Sequence, residues 1–291
     1  MTVKPVVVGV DGSSESLVAA EWAAMQAARH GLALRIVSAP GMVPRLHSSH
    51  ASPATLAGEL RDAAVRALGL ALARAQEVAP GLEVSTGLLS GAPALAVTET
   101  GAGAAMLVVG ARGTGGFAAM ALGSVSRYAA DRASCPVLVV RQESMAVHHE
   151  IAIGIRDPED ADGALTFAFE EAAARHAGLV VVHAWYWFPS PLSGQAGPQN
   201  AKQGPAHTEQ VSAEAGRQLA ATLAGWQQKY PDVPVRQDVA HGHPARVLAD
   251  YSARTDLVVI GKHGGPSIGS IRHALLNHAR GPVAVVPSGR G

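Results

Sequence analysis

Residues Gly110–Ser126 read G-A-R-G-T-G-G-F-A-A-M-A-L-G-S-V-S. The stretch follows an apolar run, Met106 to Val109, with the character of a buried strand. It leads into Val125–Ala133, which has the character of a helix. Glycines at 110, 113, 115, 116 and 123 permit unusual dihedrals and close backbone approach. Ser124 and Ser126 stand where that helix begins, and Ser124 is expected to cap it. The free N–H groups and the dipole at a helix start favour an anion. A strand, a glycine-rich loop and a serine-bearing helix start together describe a phosphate cradle.

Outward from this loop the chain alternates strand and helix. Val6–Val10 is a continuous β-branched run, as expected of a strand covered on both faces. Asp11-Gly12-Ser13-Ser14 follows as a turn with helix-cap residues, then a helix to His30 that Gly31 ends. Leu32–Ser38 and Glu83–Leu89 read as further strands, with an amphipathic helix from about Thr55 to Val78 between them. Gly91-Ala92-Pro93 opens a short helix, and Pro136–Val140 is a fifth strand. This order predicts an α/β doubly wound fold with a parallel sheet and right-handed crossovers.

The second half repeats the first. Ile151–Ile155 matches Val6–Val10, Ala174-Arg175-His176 matches Ala28-Arg29-His30, and Pro282–Val286 matches Pro136–Val140. Gly91 and Gly110 are 19 residues apart, as are Gly242 and Gly261. The repeat predicts two tandem domains, residues 1–143 and 150–291, joined by a polar, non-periodic segment. Pro189–Thr208, rich in Pro, Gly, Gln and Ser, is expected to be a mobile surface loop in the second domain. Pro136–Val140 is expected to pair across an interface, with Pro282–Val286 or with another chain.

Composition narrows the function classes. The 291 residues are 48% hydrophobic and 16% charged, enough for a sizeable core. A formal net charge of +0 gives no reason to expect nucleic acid or an anionic membrane as partner. The longest apolar stretch, Leu179 to Phe188, is too short to span a bilayer. The opening residues do not resemble a signal peptide, and the one cysteine, Cys135, fits a reducing cytoplasm and a buried, inert thiol. The expected location is therefore cytoplasmic.

Gly9-Val10-Asp11-Gly12-Ser13 after the first strand and Gly110-x2-Gly113-x9-Gly123-Ser124 after the fourth resemble the universal stress protein family in its tandem form. The second spacing matches the ATP-binding signature of that family without a gap. The resemblance implies a five-stranded parallel sheet per domain, a cytoplasmic stress-response protein that dimerises, and ATP, with Mg²⁺ possible alongside it, at the carboxyl ends of strands one and four. It implies that Gly9, Val10 and Asp11 face the nucleoside or a phosphate-bound metal and that Ala39 offers backbone to the adenine. Gly110, Arg112 and Gly113 would border ribose and phosphates. Gly116, Gly123, Ser124, Val125 and Ser126 would wrap the phosphates. Read without the resemblance, Asp11 has the alternative of a turn residue or cap for the first helix, and Arg112 that of a solvated charge.

The second half departs from this pattern. Gly261-Lys262-His263-Gly264 is followed by four residues before Gly269-Ser270, where the first half has nine. The shorter chain reaches about 16 Å less, at about 3.3 Å per residue. Gly261, His263, Gly264, Gly269 and Ser270 are therefore candidates for an altered second site. Arg156 stands at the position of Asp11 and Arg272 at that of Ser126, and Trp185, Tyr186, Trp187 and Phe188 follow the equivalent of Ala39. His241, His243 and His263 fall on loops that could share a crevice, but no cysteine pair or H-E-x-x-H helix accompanies them, so no protein-held metal is expected. No general-base constellation is legible, so no catalytic residue is assigned. The favoured expectation is an ATP-binding regulator acting through an unknown protein partner. The alternatives are a slow ATPase or nucleotide hydrolase, and a nucleotide-free dimeric scaffold.

Overall fold

The structure is a computed structural model describing residues 3–41, 52–114, 122–141, 147–156, 161–185, 205–262 and 266–288. The first half runs β1 (Val6–Gly9), α1 (Ser14–His30), β2 (Leu34–Ser38), α2 (Pro53–Val78), β3 (Val84–Leu88), α3 (Pro93–Thr100), β4 (Met106–Gly110), α4 (Ser124–Arg132) and β5 (Val137–Val140). The second runs β6 (Glu150–Gly154), α5 (Asp162–Arg175), β7 (Gly178–Trp185), α6 (Pro205–Lys229), β8 (Val235–His241), α7 (Pro244–Ser252), β9 (Leu257–Lys262), α8 (Pro266–His278) and β10 (Val283–Pro287). The expected strand–helix alternation is thus present in both halves. The end of the stretch 189–208, expected as loop, is helical from Pro205, and residues 186–204 lie outside the described residues.

The strands form one ten-stranded sheet in the order β3-β2-β1-β4-β5-β10-β9-β6-β7-β8. Every neighbouring pair is parallel except β5 and β10, which meet antiparallel with Val137 opposite Val285 and Val139 opposite Val283. Of the two pairings open to Pro136–Val140, the structure therefore takes the one within the chain. A strand of buried valines and a leucine exposes unpaired N–H and C=O groups if left at an edge, and its equally apolar repeat satisfies them.

Alternation along each strand places a core on each face of the sheet. Val6, Val8, Leu34, Ile36, Met106 and Val108 meet α1 and α2, with the same face of the second half under α5 and α6. Val7, Val37, Leu107 and Val109 meet the opposite layer, built on α3, α4, α7 and α8. Ala19, Ala20, Ala23, Ala24 and Ala27 are fully buried on α1, and this small-residue face lets the helix lie close to the sheet.

The strand registers revise one detail of the repeat. Val6 pairs with Leu34 and Ile151 with Leu179, so His176 corresponds to Gly31 rather than to His30. Both residues are left-handed C-caps, at φ +62 for Gly31 and +51 for His176. The apparent match of Ala-Arg-His in both halves is offset by one.

A polar cluster joins the halves where α1 packs on α5. Glu171, 1% exposed, accepts from Gln26 Nε2 at 2.7 and 2.8 Å and from Arg175 Nε at 3.1 Å, and lies 2.8 Å from His30 Nε2. Arg175 also donates to Gln26 Oε1 and lies over the Trp22 ring. The Glu171 hydrogen bond raises the His30 pKa. Burial alone would raise that of Glu171, but His30, Arg175 and Gln26 outweigh it, and the net direction is down.

The His30 contribution to stability is therefore complete below the ordinary imidazole range and is lost as pH rises through its raised pKa. The Glu171 contribution is complete above the ordinary carboxylate range and is lost as pH falls through its lowered pKa. Thermal melts across pH should show His30→Gln costing most near about pH 6 and progressively less toward about pH 9. Glu171→Ala should cost about 3–5 kcal/mol at neutral pH in denaturant titrations, because it strands buried cations.

Candidate functional site

The strand order reverses between β1 and β4, which opens a crevice at their carboxyl ends. The chain leaves β1 through Val10, whose N–H donates to Val37 O at 2.9 Å and whose carbonyl accepts from Ser38 Oγ at 2.7 Å. Asp11 then begins the turn, with Gly12 at φ +85 and Ser13 capping α1. Asp11 Oδ1 accepts from Ser13 N at 3.0 Å and Ser13 Oγ at 2.6 Å. Asp11 Oδ2 accepts from Thr114 N at 2.6 Å. Burial would raise the Asp11 pKa, but these bonds from Ser13 and Thr114 outweigh it and hold the carboxyl ionised below its usual range.

The glycines of the loop have different physical causes. A Cβ on Gly110 would lie 2.9 Å from the Glu15 carbonyl carbon and 3.0 Å from Ser16 N, so the first turn of α1 requires glycine there. A Cβ on Gly113 would collide with Asp11 Oδ2. A Cβ on Gly9 would lie 2.7 Å from Val97 of α3, and one on Gly154 equally close to Leu248 of α7, so this glycine serves packing in both halves. Gly123 differs. Its φ is −75, and a Cβ there would meet its nearest neighbour, Ala111 O, at an ordinary 3.4 Å.

Gly123 rather than Ser124 is the N-cap of α4, and no side chain caps the helix. Ser124 is the first helical residue, which corrects its expected capping role. The neck of the loop is closed by Gly123 N donating to Ala111 O at 2.7 Å. Ser126, 1% exposed, donates to the same Ala111 carbonyl at 2.8 Å and lies 3.0 Å from Gly123 O. Its hydroxyl is thus turned into the protein as a staple. Ala39 sits half-buried just past β2, and Val125 packs partly buried on the α3–α4 side of the sheet. Gly116 lies outside the described residues.

Two residues that sequence reading left out organise this corner. Glu15, 4% exposed in the first turn of α1, accepts from Arg112 N at 2.5 Å and Arg112 Nε at 2.7 Å. Thr114 answers Asp11. An acidic residue in a first helical turn is favoured by the dipole wherever it points, so its identity alone gave no sign of a partner 97 residues away.

The second half keeps the frame and changes the groups. Ile155 N donates to Val182 O at 2.9 Å, as Val10 does to Val37, but His183 Nδ1 replaces Ser38 Oγ, at 3.1 Å from the Ile155 carbonyl. Trp185 meets His241 edge-on at 4.8 Å between ring centroids, so it packs within the crevice wall. Tyr186, Trp187, Phe188, His263 and Gly264 lie outside the described residues. Gly261 lies in β9, and only residues 263–265 separate β9 from α8. Gly269 and Ser270 fall inside α8 instead of at its start, because the shortened connection lets the helix begin at Pro266. Among the described residues no group of three or more His, Cys, Asp or Glu could hold a metal ion.

Residues of the second half at positions equivalent to the glycine loop reach across to α4. Lys262, the counterpart of Ala111, donates through Nζ to Ala133 O at 2.9 Å. Arg272, the counterpart of Ser126, bonds Asp131 Oδ1 at 2.5 Å, and His273 Nε2 lies 3.1 Å from both Asp131 oxygens. Burial would raise the Asp131 pKa, but Arg272 and His273 bring it below its usual range.

This is a duplicated, doubly wound α/β protein with a glycine-loop crevice at one topological switch point. The chain belongs to the universal stress protein family, whose model matches residues 2–141 and again 148–287. It is 34% identical over 292 residues to universal stress protein Rv2005c of Mycobacterium tuberculosis, covering 96% of each chain. It is equally 34% identical to a universal stress protein of Mycolicibacterium smegmatis, over 97% of this chain and 96% of that one. The crystal structure of a universal stress protein from Archaeoglobus fulgidus shares the fold, at TM-score 0.69 and 16% identity over 98% of this chain and 97% of that one. Among the described residues no helix is long and apolar enough to cross a membrane.

The glycine analysis gives a contrast that denaturant titration can check. Gly110→Ala should cost about 1–3 kcal/mol, as overpacked sites do, whereas Gly123→Ala should cost only what an N-cap change does, about 0.5–1 kcal/mol.

Proposed function

We propose that the first half binds an adenine nucleotide, ATP in the form the family signature implies, and that the protein acts as a nucleotide-responsive regulator in the stress response. The observation that carries this reading is Gly123. Gly9, Gly110 and Gly113 are required by neighbouring protein atoms, but Gly123 has room for a Cβ and an ordinary φ. What a side chain there would obstruct is the approach of a ligand to the uncapped start of α4. The helix N-terminus favours phosphate by charge and by its N–H donors. Asp11 and Thr114 on one side and Arg112 on the other frame the entrance. A magnesium ion would arrive with the nucleotide phosphates, and Asp11 is the ionised carboxylate at hand.

One nucleotide per chain is the expected stoichiometry. The second half has a connection of only residues 263–265, has Arg156 in place of Asp11, and commits Lys262 and Arg272 to α4. Regulation needs the ligand to bind two states of the loop unequally, and the Asp11–Thr114 bond is a contact that such a change would involve. The chain's own pairing of β5 with β10 removes that edge from use by a second chain, which weighs against a scaffold assembled through it.

Mass spectrometry of nucleotide released from freshly purified, denatured protein tests the reading directly, with an adenine nucleotide expected. Isothermal titration should give one ATP site per chain, and two equal sites would refute the asymmetry. Gly123→Val should weaken ATP binding at least about tenfold, or about 1.4 kcal/mol. Unchanged affinity in that variant would sink the cradle.

A further inference from the structure

Glu15 is an acid set at the mouth of a site read as anion-binding, and it is 4% exposed. A buried carboxylate is costly unless paired. Here one oxygen, Oε2, takes the backbone N–H of Arg112, while Oε1 takes Nε and Nη2 of the same residue, each at 2.7 Å. One carboxylate thus fixes both the main chain and the side chain of the loop's only described cation between Gly110 and Thr114. Arg112 keeps half of its side-chain surface exposed, and this grip uses only part of its five N–H donors. The approach of α1 to Gly110 sets the distance across which the grip is made.

We propose that Glu15 is a positioning residue for phosphate recognition, holding the Arg112 guanidinium at the crevice so that a nucleotide's phosphates meet a cation already in place. The inference rests on the nucleotide reading above. A free arginine is rich in rotamers, and ordering it in advance removes part of the entropic cost of binding. The effect is carried by charge on the phosphates and owes nothing to the base. It should therefore scale with phosphate number across adenosine, AMP and ATP. Asp11 does a parallel but separate task, since it grips Thr114 and leaves Arg112 alone.

The test is titration calorimetry of the full chain with adenosine, AMP and ATP, on wild type, Glu15→Ala, Glu15→Gln, Arg112→Ala and the Glu15→Ala/Arg112→Ala double variant. Glu15→Ala should lose about tenfold in ATP affinity and less than about twofold for adenosine. Glu15→Gln keeps one acceptor oxygen and should recover part of the loss, and it also serves if the alanine variant folds poorly. In the Arg112→Ala background, removing Glu15 should cost no further ATP affinity. Amide exchange at Arg112 in the nucleotide-free protein should quicken in Glu15→Ala. Equal losses for adenosine and ATP, additive losses with Arg112→Ala, or tighter ATP binding by Glu15→Ala would each overturn the proposal while leaving nucleotide binding standing. Failure of the wild type to bind any of the three ligands overturns both.

Discussion

The antiparallel contact of β5 with β10 is the constraint on which the rest of the molecule depends. Each half alone would end in an apolar strand with an open edge. Joined through Val137–Val285, Leu138–Ala284 and Val139–Val283, the two edges satisfy each other and make one sheet. The reversal of direction at this one pair relates the halves by an approximate two-fold. It sets α1 beside α5 on one face and brings α4 and α8 within reach of each other on the other. The Glu171 cluster and the Asp131 pairings are consequences of that placement.

Within this frame the halves have diverged in the loops and kept the strands. Gly9 and Gly154 both make room for a helix, and Val10 and Ile155 make the same backbone bond. The groups at the carboxyl ends differ. Ser38 becomes His183, Ala111 becomes Lys262, and Ser126 becomes Arg272. In the first half Ser38 bonds the end of β1, and Ala111 and Ser126 bond each other at the neck of the loop. In the second, His183 keeps the contact to the strand-end carbonyl, while Lys262 and Arg272 turn outward and hold α4 near its C-terminal end. The half with the shorter connection after its fourth strand thereby still supports the helix that follows the glycine loop of the other.

Much of the fold was legible because it depends on local patterns. Continuous β-branched runs, a helix cap at Ser13 and a stop at Gly31 each name an element, and the repeat confirms the order. The site was legible only in part. The spacing Gly110-x2-Gly113-x9-Gly123 marked the corner at the carboxyl ends of β1 and β4, but it presented the glycines as one class. Gly110 and Gly113 answer to α1 and Asp11, and Gly123 to neither. The Ser126 hydroxyl is a buried staple to Ala111 O, a contact its place near a helix start did not announce. Ser124 looked like a cap and is the first helical residue. Gly269-Ser270 looked like a second helix start and lies within α8, because local sequence does not say how early a shortened loop allows a helix to begin.

By itself, then, the sequence determined the elements, their order, the duplication and the location of the loop. These follow from short-range sterics, side-chain periodicity and turn chemistry, all written in neighbouring residues. Only the tertiary structure decided that β5 would pair with β10, that Glu15 would grip Arg112, and that Arg272 would cross to Asp131. Each of these joins residues about 100 or more positions apart along the chain. An acid or a cation carries no record of its distant partner. The partner is chosen when the sheet closes and a charged group that is losing water comes within reach of one of opposite sign.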